Sequence, residues 1–449
     1  MIISNNKSVL FLICILLIAN TVFSQSYSLT TLAGSGTGFS GDGGPATSAS
    51  LFNPMAVCAD GKGNFYIADW YNARVRMVNT AGIISTVAGT GIFVYNGDGG
   101  PAIAAGIKGP MGICTGKNGN MYICDIGSNR IRVINSAGII STFAGNGRYG
   151  YSGDGGAATD AGFSDPAGIC ADDSGNIYVA DIFNERVRKM NTAGIITTFA
   201  GNGIRGFTGN GTPATSATLY YPTAVAADHH GNLYIADADN SVIRKVNASG
   251  IIFTVAGTGV FGFSGDGGAA TAAQLGNPSG VWVDAHGNIF VADGLENRIR
   301  RIDSSGIITT IAGTGKAGTT ASAGNAAQAL IDNPVGITGD DAGNIYFTNA
   351  FNQLVQKLTP LPPIHAGKLS ITVYPNPGNG IFSFQIANFN GTLQVSVYNV
   401  IGQKISSAEL SQSLTTINLQ REASGIYLYR ITDMNNAPVG DGKLMLIKN

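Results

Sequence analysis

The chain has 449 residues, with 26 Lys and Arg against 27 Asp and Glu, a formal net charge of −1 and no long run of one sign. Charge this balanced leaves no electrostatic footprint for nucleic acid or for an anionic membrane surface. With 44 % hydrophobic residues, 12 % charged residues and 64 glycines, the chain should form at least two folded units built from short strands and many turns, not from long helices.

The first elements in chain order are a positive flank at Lys7 and an apolar run over 9–19. That run is shorter than the ~20 residues a membrane span needs. It reads as a secretory signal peptide over 1–24, cleaved after Ser24. No later segment is apolar enough to span a bilayer, so no transmembrane segment is expected after signal removal.

From residue 27 to about 359 a step of 56 residues governs the chain. Asp69, Asp125, Asp181, Asp237 and Asp293, then Asn349, keep it, as do Pro54, Pro110, Pro166, Pro222, Pro278 and Pro334. A glycine-rich GDGG phrase repeats in the same register, with Asp42, Asp98, Asp154, Asn210 and Asp266. So regular a period marks a repeat architecture. In the second copy, four strands are predicted at 110–114, 121–125, 130–135 and 139–144, split by Gly, Asn and Asp turns. A solenoid is the competing architecture, with shorter repeats and polar caps.

The strand count favours a ring. The last copy, from 334, has three strands, and an extra fourth-strand phrase stands alone at 27–33. The expected fold is all-β: a six-bladed β-propeller closed by the N-terminal strand, plus a small C-terminal antiparallel β-sandwich. Blades are placed near 54–89, 110–145, 166–201, 222–257, 278–313 and 334–359, within a domain over 25–360.

The phrases GNIYVADIFNERVRKM (175–190) and GNIFVADGLENRIRRI (287–302) resemble the NHL-repeat propellers. The GDGGPATSA insertions are similar to the subgroup found in bacterial surface proteins and teneurin-like propellers. The resemblance implies a fold used mostly for binding ligands or partners, with a minority of hydrolases and lyases.

A proline-rich linker is read at 361–367, and the repeat is absent beyond it. Alternation at Phe382, Phe384 and Ile386, and at Leu393, Val395 and Val397, predicts the sandwich over 368–449. The phrases VYPNPGNGIFSF, VSVYNVIGQKI, SGIYLYRI and GKLMLIKN resemble the type IX secretion sorting domain. That resemblance implies a Bacteroidetes-type source, passage through the periplasm and across the outer membrane, and removal of this domain. The product is then released or attached to surface lipopolysaccharide, so the localisation is secreted or outer-membrane cell surface.

Residues that recur in every repeat are read as structural. The repeated Asp can accept backbone N–H bonds or pair with Arg74 and Arg76, Arg130 and Arg132, Arg186 and Arg188, or Arg298 and Arg300. Asp42, Asp98, Asp154 and Asp266 read first as turn formers; calcium ligation by these four is the alternative, and no other cofactor is expected. Phe39, Tyr95, Tyr151, Phe207 and Phe263 read as packing. His229, His230 and His286 decorate turns, and His365 lies in the linker. Cys58, Cys114, Cys170 and Cys124 read as small buried apolar groups without disulfides.

The innermost strands carry no charged residue and so supply no general acid, base or metal cage, which argues against an enzyme. Variation within the repeat instead singles out Trp70, Tyr71, Phe93, Tyr149, Phe183, Arg205, Phe261 and Phe351 as a ligand-binding top face. The expected function is a secreted or cell-surface binding or adhesion module for an extracellular protein or glycan. The C-terminal domain would engage the outer-membrane secretion machinery. The alternative is an extracellular hydrolase or lyase with a loop-borne metal.

Overall fold

The computed structural model describes residues 25–361, 370–387, 393–410, 414–432 and 438–448. Residues 1–24, read above as a signal peptide, and nearly all of the stretch 361–367 read as a linker, with His365, lie outside the described residues. The described residues form two compact units, Gln25–Leu361 and a C-terminal one described from Ser370 onward.

The larger unit is built of antiparallel sheets that repeat every 56 residues. Its first sheet runs Pro54–Ala59, Phe65–Asp69, Arg74–Val78 and Ile84–Ala88, each strand pairing with the next. The second copy has strands at Pro110–Thr115, Met121–Asp125, Arg130–Ile134 and Ile140–Ala144, within a residue of the expected bounds. The sixth sheet combines Pro334–Gly339, Ile345–Asn349 and Leu354–Pro360 with the N-terminal strand Tyr27–Ala33, in which Leu29 lies opposite Leu358.

Strand alternation explains why these sheets stack. Residues two apart face one neighbouring sheet, and the intervening ones face the other. Cys124, Ile131 and Ala144 of the second sheet thus share a core with Phe163, Val179 and Ile196 of the third repeat. Val355 of the sixth sheet and Ala33 share another with Leu51, Ile67 and Ile84 of the first repeat. The innermost strands approach so closely that a Cβ on Gly112 or Gly280 would collide with the carbonyl of Ala167 or Val335 in the next sheet. Glycine is required there by contact, not by conformation.

Second and third strands are joined by a single 3-10 turn closed by a residue in the left-handed region: Ala73 (φ 47°), Asn129 (50°), Glu185 (51°), Ser241 (53°), Asn297 (52°) and Gln353 (60°). Four of these side chains reach into the next repeat. Asn129 accepts from the Asp165 N–H, Glu185 from Tyr221, Asn297 from Asn333, and Gln353 from Asn53 at 2.5 Å. Ala73 pays the left-handed strain without such a bond. Ala73→Asn is therefore expected to stabilise the unit by about 1–2 kcal/mol, read as a raised thermal midpoint.

Cys58, Cys114 and Cys124 are buried and Cys170 is partly buried, all as free thiols. The C-terminal unit has two antiparallel sheets, one of Ser370–Tyr374, Ile381–Ala387 and Thr415–Asn418. The other orders Lys404–Leu410, Leu393–Tyr398, Gly425–Thr432 and Pro438–Leu446. Phe382, Phe384, Val395, Val397 and Ile431 share their common core. Among the described residues no helix is long and apolar enough to cross a membrane.

Candidate functional site

Register decides which loops share an end of each sheet. In the first, Pro54 lies opposite Asp69, Asp69 opposite Arg74, and Val75 opposite Ala88. The 70–73 turn and the long loop after Ala88 therefore leave from one end, called the top. The Asp60–Asn64 turn leaves from the other.

The top is held by a buried ionic network. Asp69 accepts from the Phe52 N–H at 2.7 Å and from Asn72 Nδ2 at 2.8 Å, and faces Arg76 Nη1 at 3.4 Å. Arg76 Nη2 lies 2.7 Å from Asp42 Oδ1. The same arrangement links Arg132 to Asp98, Arg188 to Asp154 and Arg300 to Asp266 at 2.5–2.7 Å. Burial pushes the inner carboxyls up, to about 6 at Asp69, Asp125 and Asp181 and about 7 at Asp237 and Asp293, against the pull of hydrogen bonds and guanidinium.

One reading is corrected by this network. Arg74, Arg130, Arg186 and Arg298 do not pair with the repeated Asp: they donate to loop carbonyls, such as Asn72 and Thr90 for Arg74. Their guanidinium planes lie over Phe39, Tyr95, Tyr151 and Phe263 at 3.6–3.9 Å, which accounts for those aromatics as packing. Asp42, Asp98, Asp154 and Asp266, the calcium alternative, each place Oδ1 within 2.7 Å of an arginine Nη2.

The top also gathers the aromatic candidates. Trp70 is half-buried and stacks on Tyr71 with centroids 4.4 Å apart, and Tyr71 meets Phe52 at 4.9 Å. Phe183 lies 6.4 Å from Tyr149 and 5.3 Å from Tyr221. Arg205 Nε pairs with Glu185 at 2.9 Å, its guanidinium 5.6 Å above the Tyr220 ring. Phe93, Phe261 and Phe351 are exposed at the same end, each in its own repeat. Phe52, Tyr220 and Tyr221 were missed. Their signal is the variable pair before each proline, a position separate from the pair after each Asp and from the long-loop positions that yielded the other candidates.

At the centre, the six first strands line a cavity of about 240 Å³ whose walls include Met55, Met111, Ala167, Thr223, Ser279 and Val335. No ionisable side chain lines it. At the far end, Asp173 joins Lys117 at 3.0 Å and His229 at 2.8 Å, three equivalent positions in successive repeats.

Sheets of this repeat, with the Asp–Arg network at one end, define an NHL-type propeller. More particularly, the chain belongs to the teneurin NHL family, whose domain matches residues 35–96, 147–206, 205–263 and 261–322. Residues 372–445 match the secretion system C-terminal sorting domain, which directs a protein through the type IX route to the cell surface or extracellular space. The chain is 29 % identical over 276 residues to Protein SUPPRESSOR OF QUENCHING 1, chloroplastic, of Arabidopsis thaliana, covering 57 % of this chain and 25 % of that protein. It is 31 % identical over 279 residues to Teneurin-4 of Mus musculus, covering 54 % and 10 %. It thus spans a quarter or less of these curated relatives' length. Among solved structures, a protein of unknown function from Bacteroides thetaiotaomicron superposes with a TM-score of 0.56 at 18 % identity, covering 75 % of this chain and 76 % of that one. An auxiliary nutrient binding protein from Bacteroides ovatus gives 0.55 at 16 %, covering 76 % and 78 %. At these identities the likeness is one of fold.

Proposed function

We propose that the unit over 25–360 is a six-bladed propeller closed by the strand at 27–33, and that it works as a non-enzymatic binding or adhesion module. In this reading, residues 1–24 are a cleaved signal peptide, 361–367 a linker, and 368–449 the part that engages the outer-membrane secretion machinery. Its top end recognises an extracellular protein or glycan. The observation that carries the reading is the set of large exposed aromatics, Tyr71, Tyr149, Phe183 and Phe261, on turns and loops anchored by the buried Asp–Arg network. Rigid aromatics on a braced scaffold lose little entropy on binding and dominate interface energetics. The uncharged central cavity supports binding over catalysis.

Replacing Trp70, Tyr71 and Phe183 together with Ala is expected to weaken binding on a protein and glycan array at least about tenfold, a loss of roughly 1.4 kcal/mol or more. The far-UV spectrum should stay unchanged. Equal binding by parent and triple variant would remove the top-face reading. A hydrolytic activity lost with a chelator would favour the metal-dependent alternative instead.

A further inference from the structure

The second repeat breaks the top-face pattern at several positions together. Gly38, Gly150, Gly206, Gly262 and Gly318 occupy one slot of the long loop, and the second repeat has Val94 there. In four of those copies the glycine N–H donates to the carbonyl of Leu51, Phe163, Leu219 or Leu275 and draws the loop down. Val94 N–H turns back to the Ile92 carbonyl at 2.8 Å.

A second tether is missing as well. Asn72, Asn184, Asn240 and Asn352 donate to the carbonyl of the glycine in that slot at 2.6–3.2 Å. The equivalent Ser128 is too short and donates to Asp125 O instead. Finally, the slot of Tyr71, Phe183, Leu295 and Phe351 holds Gly127. The Lys108 stem lies over it, where a Cβ would come 3.0 Å from Cγ of Lys108.

Together these changes open a cavity of about 370 Å³, large enough for one ring-sized ligand. Phe93, Val94 and Tyr95 supply an apolar wall, and Lys108 and Arg130 supply charge. Arg130 is held by the carbonyls of Ser128 and Asn146. Lys108 is exposed and has no acidic partner among the described residues, and no carboxylate lines the cavity. The stretch that the teneurin NHL matches leave out, between 96 and 147, contains Lys108, Gly127 and Arg130.

We infer that this cavity binds a uronic acid residue of an acidic polysaccharide. The C–H face of the pyranose lies on the aromatic wall, and its carboxylate pairs with Lys108. The cavity opens along the top, so a residue within a chain can enter. This inference rests on the top-face reading above and narrows its ligand.

The test is calorimetric titration of the secreted propeller with oligogalacturonate, a neutral oligosaccharide of equal length, and benzoate as a free ring carboxylate. Oligogalacturonate should bind at least about tenfold tighter than either control. Lys108→Gln should lose about tenfold of that affinity without a change in thermal midpoint, since the side chain is exposed. Phe93→Ala should weaken oligogalacturonate and leave the midpoint in place. Equal affinity for the neutral chain, tighter binding of benzoate, or an unchanged Lys108→Gln would each overturn the inference. So would absence of oligogalacturonate binding while array ligands still depend on Trp70, Tyr71 and Phe183; that result leaves the top-face reading standing.

Discussion

Arg244→Gln is expected to destabilise the propeller by about 3–5 kcal/mol, and adding Asp237→Asn is expected to recover most of that loss. The fourth repeat is the cleanest place for this test. Asn210 stands where the other charged repeats have a second carboxylate, so Arg244 and Asp237 form a one-to-one pair at 3.6 Å, both side chains wholly buried. Removing the arginine alone strands a buried carboxylate that must either ionise without a partner at alkaline pH or hold a proton, whereas removing both charges avoids this. The sixth repeat already carries the neutral version: Asn349 Nδ2 donates to Gln356 Oε1 at 2.9 Å, and Gln356 Nε2 to Thr320 O at 2.8 Å.

Acidity adds a second reading of the same variant. Burial already pushes Asp237 up to about 7 with its arginine in place. Losing that cation raises it further, so the stranded group takes up a proton on mild acidification. A group whose folded pKa is raised contributes stability below its unfolded value and loses it as pH rises through the folded one. The penalty of Arg244→Gln should therefore be smaller at pH 5 than at pH 8 in urea denaturation. If the double variant unfolds as readily as the single one, the stranded charge is not the cause.

Leu29→Asp is expected to abolish cooperative folding of the propeller, while Thr30→Asp beside it leaves the fold intact. Leu29 is 1 % exposed and packs with Phe347, Leu358 and Phe290. It fills in the sixth sheet the place of Ile84, opposite the end of the third strand. A lone carboxylate there has no counter-ion, and its desolvation costs several kcal/mol or more. Thr30 points outward on the same strand. The milder Leu29→Ala should cost about 2–5 kcal/mol. Limited proteolysis and thermal melts read all three, and a Leu29→Asp variant that melts with the parent would defeat the proposed closure.

Much of this was visible in the linear order of residues. The 56-residue step located the strands because alternation and turn chemistry are short-range properties, carried by neighbours such as Arg130 to Ile134 and the Gly-Asn turns. The same step marked Asp69 and its equivalents as structural, since a group needed once has no cause to recur. The core of the C-terminal unit followed from alternation at Phe382, Phe384, Val395 and Val397 for the same reason.

Other features depended on contacts between distant segments. Arg74 and Arg76 lie on the same strand two residues apart, and only the packing of a loop 34 residues earlier onto Arg76 selected it as the partner of Asp42. Gln353 meets Asn53 across 300 residues of chain. The opening above Gly127 arises because three loop positions fail together to hold one backbone segment down, an effect no single residue displays. Periodicity specifies each sheet; which side chains meet between sheets depends on how closely the backbones pack.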